Sequence, residues 1–364
     1  MRSNYRRMLD DLYDFIEAKF RAFQAYRIAR RQLKNLHGGL KCWKEFRKTV
    51  VPFWKKYGIR PKYTWYRVLC AKDGVVDPRY IPESLWYSKI VPYYSNTRFR
   101  RPFEDKCMHG VFFADCKRPK TAAMNIAGVF YDENYKIISL DNAIARCMEM
   151  GDFLIKPSID SGEGRLIRFF DKGGYSEADV RKAFSEFGCN FIAQQVIPQH
   201  PELKKLNPDS INTVRTISFL YKGEVHILST VIRVGKEKSR VDNYGAGGYT
   251  CGIKDDGWLM PVAVKKNMER CTETHTGVKF ADVRVPSLDK VYEIIKRKHE
   301  SLGHFKLIGW DFGIDTDGDP VFIEYNVCPG PGPNQFAIGP ILGDLTEEVM
   351  EDVFITKSLR GSGN

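Results

Sequence analysis

The sequence predicts an α+β fold with a helical N-terminal region, and three observations predict it. Apolar residues recur at three- and four-residue steps through the first sixty positions. Strand-like and helical runs take turns between Asn125 and Val196. Beyond Asn212, two pairs of alternating runs flank short turns, Tyr221-Lys222-Gly223-Glu224 and Asp315-Thr316-Asp317-Gly318-Asp319, as antiparallel hairpins do. At 364 residues the chain exceeds one typical domain of ~100–200 residues. It divides into a basic, mainly helical region at 1–100 and a larger α+β unit at 101–360.

In chain order, Leu9, Leu12, Ile16, Phe20 and Phe23 form one apolar stripe of a first helix. Arg21, Arg27, Arg30, Arg31 and Lys34 continue that helix as a basic, partly exposed surface. His37-Gly38-Gly39 ends it, and Trp43, Phe46, Val50, Phe53 and Trp54 carry the period into a second helix. The expected arrangement is a helical hairpin packed on the body through its apolar stripe, with a membrane-surface helix as the alternative. Residues 61–123, rich in aromatics and prolines, read as short helices and loops. Then follow a strand at Asn125–Phe130, a helix at Asp141–Glu149, and strands at Phe153–Lys156 and Arg165–Phe170 about a Gly-containing turn. A helix at Ser176–Phe187 and a strand at Phe191–Val196 complete this part. Thr213–Leu220 with Val225–Val234, and Leu307–Ile314 with Pro320–Asn326, are the two hairpins, and Leu288–Leu302 is a helix between them.

Composition, 43% hydrophobic and 28% charged, fits a soluble globular protein, and no apolar run reaches the ~18–20 residues of a membrane span. No apolar h-region follows the basic N-terminus, so no signal peptide is expected. Nine cysteines without a CxxC pair read as thiols in a reducing cytoplasm, and Cys107, His109, Asp115 and Cys116 fit no common zinc spacing. Of the net charge of +12, residues 1–60 hold 16 Lys/Arg against five Asp/Glu. Charge this concentrated predicts an acidic counter-surface: anionic lipid, nucleic acid or an acidic polymer.

Two stretches carry chemistry. In Phe153-Leu-Ile-Lys-Pro-Ser-Ile-Asp-Ser-Gly-Glu-Gly-Arg165 a buried strand delivers Lys156 to its end, and a turn with Gly162 and Gly164 follows. Glycines let backbone N–H groups approach phosphate oxygens, and the lysine supplies a point charge. In the second, paired strands set Asp311 beside Glu324 and Asn326, and period-two alternation puts the last two on one face. Three oxygen-bearing side chains on one surface suit Mg²⁺. The Asp315–Asp319 turn looks like an EF-hand loop, but its glycine falls too early and no glutamate stands at the twelfth position.

In that order, these phrases resemble the ATP-grasp superfamily, and within it the sugar-transfer-associated branch found with surface-polysaccharide genes. The phrases are Glu104-Asp105-Lys106, Phe153–Arg165, Gln199-His-Pro-Glu-Leu, Asn212-Thr-Val-Arg-Thr, Val241-Asp-Asn-Tyr-Gly-Ala-Gly-Gly248, and Gly309-Trp-Asp through Asn326-Val-Cys-Pro-Gly330. They span about residues 100–345. The resemblance implies two α+β subdomains clasping ATP, with a hinge near 194–198. It implies that Lys106 and Lys156 face the phosphates, that Ser161, Gly162 and Gly164 cover them, and that Gln194, Gln195, Val196 and Ile197 meet the adenine edge. It further implies Glu202 on the ribose, and Asp311, Glu324 and Asn326 on Mg²⁺. Asp242, Asn243, Gly247 and Gly248 form a loop open to substrate. Two departures stand out. Gln194-Gln195 occupies the hinge where many members have glutamate, and Gly309 stands where D-alanine ligase-like members have an arginine. Arg215 and Arg233, on the central hairpin, are the catalytic cations expected instead.

The expected function is an ADP-forming ligase that activates a carboxylate as an acyl phosphate and joins it to an amine or hydroxyl. ATP and Mg²⁺ are its cofactors, and surface-polysaccharide biosynthesis is its setting. Its partners are a small carboxylate and an amine or sugar acceptor, with anionic membrane against residues 1–60 and no nucleic acid. A cytoplasmic protein, peripheral at the inner membrane face, is the matching location. The alternatives are a kinase acting on a sugar or small-molecule hydroxyl, and a non-catalytic basic binding module. The module leaves Lys156 and the Asp311/Glu324/Asn326 set unexplained.

Overall fold

The computed structural model describes residues 2–71, 74–159, 166–242 and 244–356. Strands β1 (Thr121–Ile126), β2 (Val129–Tyr131), β3 (Phe153–Pro157), β4 (Arg168–Phe170) and β5 (Phe191–Gln195) form an antiparallel sheet in the order β2-β1-β5-β3-β4. The run expected as one strand at Asn125–Phe130 is instead a tight hairpin. Ala127 (φ 51°) and Gly128 (φ 91°) adopt left-handed angles there, as a two-residue turn between twisted strands requires. Helices at Leu140–Met150 and Glu177–Phe187 cover one face, burying Ile144, Cys147, Val180 and Phe184 against Phe153, Ile155 and Phe191. Ser176 caps the second helix, accepting from Asp179 N–H while the Asp179 carboxylate accepts from Ser176 N–H.

The larger sheet is β6 (Thr213–Tyr221), β7 (Glu224–Val234), β8 (Tyr249–Ile253), β9 (Leu259–Lys265), β10 (Arg270–Cys271), β11 (Leu307–Ile314) and β12 (Pro320–Asn326), in the order β10-β9-β8-β7-β6-β11-β12. The helix Leu288–Glu300 buries Val291, Ile295 and His299 beneath one face, with Trp310, Phe312 and Phe322. The Asp315–Asp319 turn is a solvated acidic loop: the Asp315 carboxylate accepts the Asp317 and Asp319 amides and pairs with Lys117.

Part of the same sheet shares a core with residues from the N-terminal region. Phe46, Val50, Trp54, Tyr66, Trp86 and Ile90 pack with Ile217 and Phe219 of β6, Leu307 of β11, and Phe336 and Met350 near the end of the chain. The short helices expected over 61–123 are present. The first helix, α1 (Arg2–Asn35), lies on Tyr63–Leu69 and Glu83–Ile90. It does so through the opposite side from the one expected. Ala18, Ala22, Ala25, Ala29, Gln32 and Leu33 face the body, and Arg21 joins them in a 2.9 Å ion pair with Glu17. Leu12, Ile16, Phe20 and Phe23 are exposed by 53–58%. Small alanines let the helix axis come close, which the bulky stripe would not.

Candidate functional site

A cleft opens where the two sheets face each other, and most of the residues singled out above line it. From the smaller sheet come Leu154, Lys156, Gln194, Gln195 and Phe169, followed by Val196 and Ile197. From the larger come Thr213, Arg233, Asp311, Ile323 and Glu324, with Lys106 and Asp242 on connecting segments. Arg215 reaches the same cluster through Asp311. Ser161, Gly162, Gly164 and Asn243 lie outside the described residues.

Local structure explains each placement. Period-two alternation along β3 sends Leu154 and Lys156 to the same side. Lys106 begins a short 3₁₀ turn capped by the Asp105 carboxylate, and its amide donates to Ser158 O at 3.0 Å. That bond ties the turn to the end of β3 and brings the two lysines together. Register sets Asp311 opposite Arg215 on β6 and opposite Glu324 on β12, and Thr213 opposite Arg233. The register of β11 with β12 shifts after Asp311, leaving Ile323 as an extra residue. This bulge is why neighbours Ile323 and Glu324 both line the cleft. Gly309 makes room for the cluster: a Cβ there would stand 2.7 Å from Arg215 Nη2 and 2.9 Å from Pro329 Cβ.

The charges form a buried network. Asp311, 1% exposed, takes Arg215 Nη1 at 2.7 Å and Arg233 Nη2 at 3.4 Å, both on Oδ2. Its Oδ1 is buried and has no hydrogen-bond partner among the described residues. Arg233 also faces Asp242, 3.3 Å from Nε to Oδ2. Lys106 Nζ lies 3.3 Å from Glu324 Oε2. Burial would push the Glu324 carboxyl up, but Lys106, Lys156, Arg233 and Arg215 outweigh it and hold it down at about 2. Asp311 moves the other way, raised by burial that its arginines offset only in part. Burial and the Lys106 ammonium push Lys156 down to about 8, against the pull of Glu324. Arg233 stays protonated: burial lowers its pKa, and Asp242, Asp311 and Glu324 more than restore it.

Other expected residues sit differently. Glu202 is absent from the cleft wall; its carboxylate pairs with Lys205 at 2.5 Å, and Asp209 lines the wall in that part of the chain. Asn326 accepts the Cys328 amide on its Oδ1 at 2.9 Å, beside the cluster. Gly247 (φ 99°) and Gly248 lie beyond the lining, which the loop reaches through Arg240, Val241 and Asp242. Among the described residues, no three His, Cys, Asp or Glu side chains gather as metal ligands. Asp115 pairs instead with Arg297 at 2.7 Å and with Lys298. Burial pushes the Cys328 thiol up to about 11, which suits no nucleophile.

The sequence reading missed the apolar walls: Leu154, Ile167 and Phe169 on one side, Ile211 and Ile323 on the other. Leu154 carried a signal, two residues before Lys156 on the same strand face. Arg240 was also missed; it lies 4.2 Å over the Phe169 ring and pairs with Asp171 at 2.8 Å, so it spans the cleft from one sheet to the other. Gly309→Ala is expected to displace Arg215 from Asp311 and lower turnover roughly tenfold to a hundredfold, with a smaller loss of thermal stability. Wild-type kinetics from that variant would show that the close approach has no role.

No curated protein is matched. Solved structures with a similar fold include D-alanyl-alanine synthetase A from Vibrio cholerae, at 11% identity and TM-score 0.41, covering 70% of this chain and 66% of that one. A biotin carboxylase from Campylobacter jejuni, in complex with βγ-ATP, matches at 13% identity and TM-score 0.39, covering 68% and 45%. The biotin carboxylase domain of Hydrogenobacter thermophilus 2-oxoglutarate carboxylase, with MgADP, matches at 15% identity and TM-score 0.37, covering 62% and 40%. This chain spans less than two thirds of each of these structures. Residues 96–351 match the family described as sugar-transfer associated ATP-grasp, and that segment contains both sheets and the whole charged cluster, so the chain belongs to this family.

Proposed function

We propose that the protein is an ADP-forming ligase that activates a carboxylate with ATP and joins it to an amine or hydroxyl. The observation that supports this reading best is the facing arrangement of Lys106 and Lys156 with Arg233, Asp311 and Glu324 across one cleft. In it, adenine lies between Leu154, Ile167 and Phe169 and the Ile211/Ile323 wall. The Gln195 and Val196 amides already donate to Lys120 O and Asp152 O, at 2.9 and 3.1 Å. Among the described residues nothing accepts from the Ile197 amide, which makes it the hinge donor to the adenine edge. Lys106 and Lys156 hold the α- and β-phosphates as point charges.

The donor set fits Mg²⁺: Asp311 Oδ1 is buried and has no partner among the described residues, and Glu324 is held ionised beside it. Asn326, two residues beyond Glu324, would join the set through the remaining lone pair of the Oδ1 that accepts the Cys328 amide. Held by these residues, the metal would supply positive charge against the phosphates. Arg233 and Arg215 stabilise the charge that spreads over the transferring group. The substrate carboxylate oxygen bonds to the γ-phosphorus as the bond to ADP breaks. The amine or hydroxyl then attacks the acyl carbon, phosphate leaves with the electron pair, and the nucleophile loses its proton.

A second cleft, lined by Arg21, Tyr87, Arg100 and Cys328, is the seat we assign to the other substrate. It lies one loop away from Arg215. Pro329 packs at Gly309, and a Cβ on Gly330 would stand 2.7 Å from the Tyr87 hydroxyl. Glu17 pairs with both arginines, at 2.9 and 3.1 Å, so the cleft presents both signs of charge and suits a zwitterionic or anionic substrate, such as an amino acid or a sugar phosphate destined for surface polysaccharide. The test is ADP release with amino acids and nucleotide sugars in the presence of hydroxylamine, with products read by mass spectrometry. A ligase yields ADP, phosphate and a hydroxamate. A phosphorylated hydroxyl product without hydroxamate would replace this reading with a kinase.

A pH dependence follows from Lys156. Its pKa of about 8 leaves the ammonium present below that pH and lost above it. Bound phosphates favour the charged form and raise that pKa. ATP binding is therefore expected to take up about one proton near pH 9 and none through this group near pH 7, with affinity falling up to about tenfold per pH unit above 8. Titration calorimetry in buffers of different ionisation enthalpy measures the uptake. Lys156→Met should weaken binding roughly tenfold to a hundredfold and abolish the uptake. Unchanged affinity would make Lys156 an ordinary strand-end lysine.

A further inference from the structure

The outward face of α1 has two parts. Its N-terminal half presents Leu12, Tyr13, Ile16, Phe20 and Phe23, each exposed by 53–60%. Its C-terminal half presents exposed Arg27, Arg30, Arg31 and Lys34. On a 3.6-residue period Leu12, Ile16, Phe20 and Phe23 fall on the same side as Arg27, Arg30, Arg31 and Lys34, opposite the alanine face that packs on the body. So many large apolar side chains in one exposed patch mark an interaction surface.

Charge identifies the occupant. From Lys19 through Lys44 the chain carries eight Lys/Arg and no Asp/Glu. Two of the cations already lie over exposed rings: Arg27 is 5.9 Å from the centroid of Phe23 in the stripe, and Lys19 Nζ is 5.2 Å from that of Phe15 beside it. Long basic side chains over aromatic rings can keep their charged heads at a polar boundary while the rings enter an apolar phase. Among the described residues no helix is long and apolar enough to cross a membrane. A helix with bulky apolar groups and an acid-free basic run on its outer side, and a folded body on its inner side, suits the surface of an anionic bilayer.

We propose that the outward face of α1 docks on an anionic lipid bilayer, with Leu12–Phe23 at the headgroup–acyl boundary and Arg27–Lys34 against the headgroups. The apolar stripe takes part in binding, so this surface is more than a charge patch. The inner face of the same helix supplies Glu17, Ala18 and Arg21 to the second cleft, so docking would hold that cleft close to the lipid surface. The docking itself does not depend on the ligase reading.

The experiment is sedimentation of the full chain with vesicles of phosphatidylcholine alone, or of phosphatidylcholine with phosphatidylglycerol, at low and high salt. The wild type is expected to bind the anionic vesicles and not the neutral ones, and to loosen at high salt. The triple variant Ile16→Ser, Phe20→Ser, Phe23→Ser should lower binding at least about tenfold. Arg27→Gln, Arg30→Gln, Arg31→Gln should lower it roughly a hundredfold. All six positions are exposed, so melting temperatures should match the wild type, and that measurement separates lost docking from lost folding. No binding to anionic vesicles, equal binding to both kinds, or full binding by the apolar triple would each overturn the proposal. A concentration-dependent dimer that the serine variant abolishes, without vesicle binding, would assign the stripe to a second copy of the chain.

Discussion

Asp311→Asn and Glu324→Gln are each expected to cut ATP turnover by at least about a thousandfold. Both changes preserve side-chain shape and remove one negative charge from the place where a divalent cation would meet the phosphates. The two variants should differ in stability, and the difference is informative. Asp311 is 1% exposed and faces two guanidiniums, so neutralising it leaves buried cations under-compensated, at a cost of about 3 kcal/mol. The Glu324 side chain is 38% exposed, and its removal should cost far less in the absence of nucleotide. Melting curves with and without MgATP, beside ADP-release rates, measure both effects. Wild-type turnover in either variant would remove that residue from the metal site.

Arg233→Met is expected to lower kcat by roughly a hundredfold to a thousandfold while changing the affinity for ATP much less. The guanidinium is buried and stays protonated, and it reaches both Asp311 and Asp242. An already oriented cation needs little rearrangement as charge develops on the transferring phosphoryl group. Arg233→Lys should not restore the rate, because an ammonium cannot face two carboxylates with a planar fork. Steady-state kinetics with ATP varied separate kcat from KM. A pure KM effect would assign Arg233 to ground-state binding.

The chemistry of this fold was legible where it depended on strand alternation and turn residues. Lys156 at the end of β3, Asp311 opposite Glu324, and Arg215 and Arg233 on the central hairpin could all be placed from spacing, and the structure brings them together. The bulge at Ile323 could not, because a one-residue register shift leaves no mark on an apolar run. The orientation of α1 was misread for a related reason. Period 3.6 reveals two faces, one bulky and one of alanines, and hydrophobicity alone favours burying the bulky one. Close packing against Tyr63–Leu69 and Glu83–Ile90 selected the alanine face. Glu202 illustrates a third limit: a carboxylate in the right phrase found a lysine three residues away, at Lys205.

The shared core between the N-terminal helices and the large sheet bears on biogenesis. The family segment begins at residue 96, yet Trp54, Tyr66, Trp86 and Ile90, all before it, are buried to 0% exposure in the cluster that holds Ile217, Phe219 and Leu307. Those partners are separated by more than a hundred residues of chain. A ribosome therefore releases the N-terminal aromatic helices long before the strands that cover them exist, and they must wait exposed or in the keeping of a chaperone. Begun at residue 96, the family segment would leave Ile217 and Phe219 of β6 and Leu307 of β11 without these partners, so it is not expected to fold alone. A truncation that removes the helices behind α1 should therefore also unfold β6 and β11, the strands that carry Arg215 and Asp311.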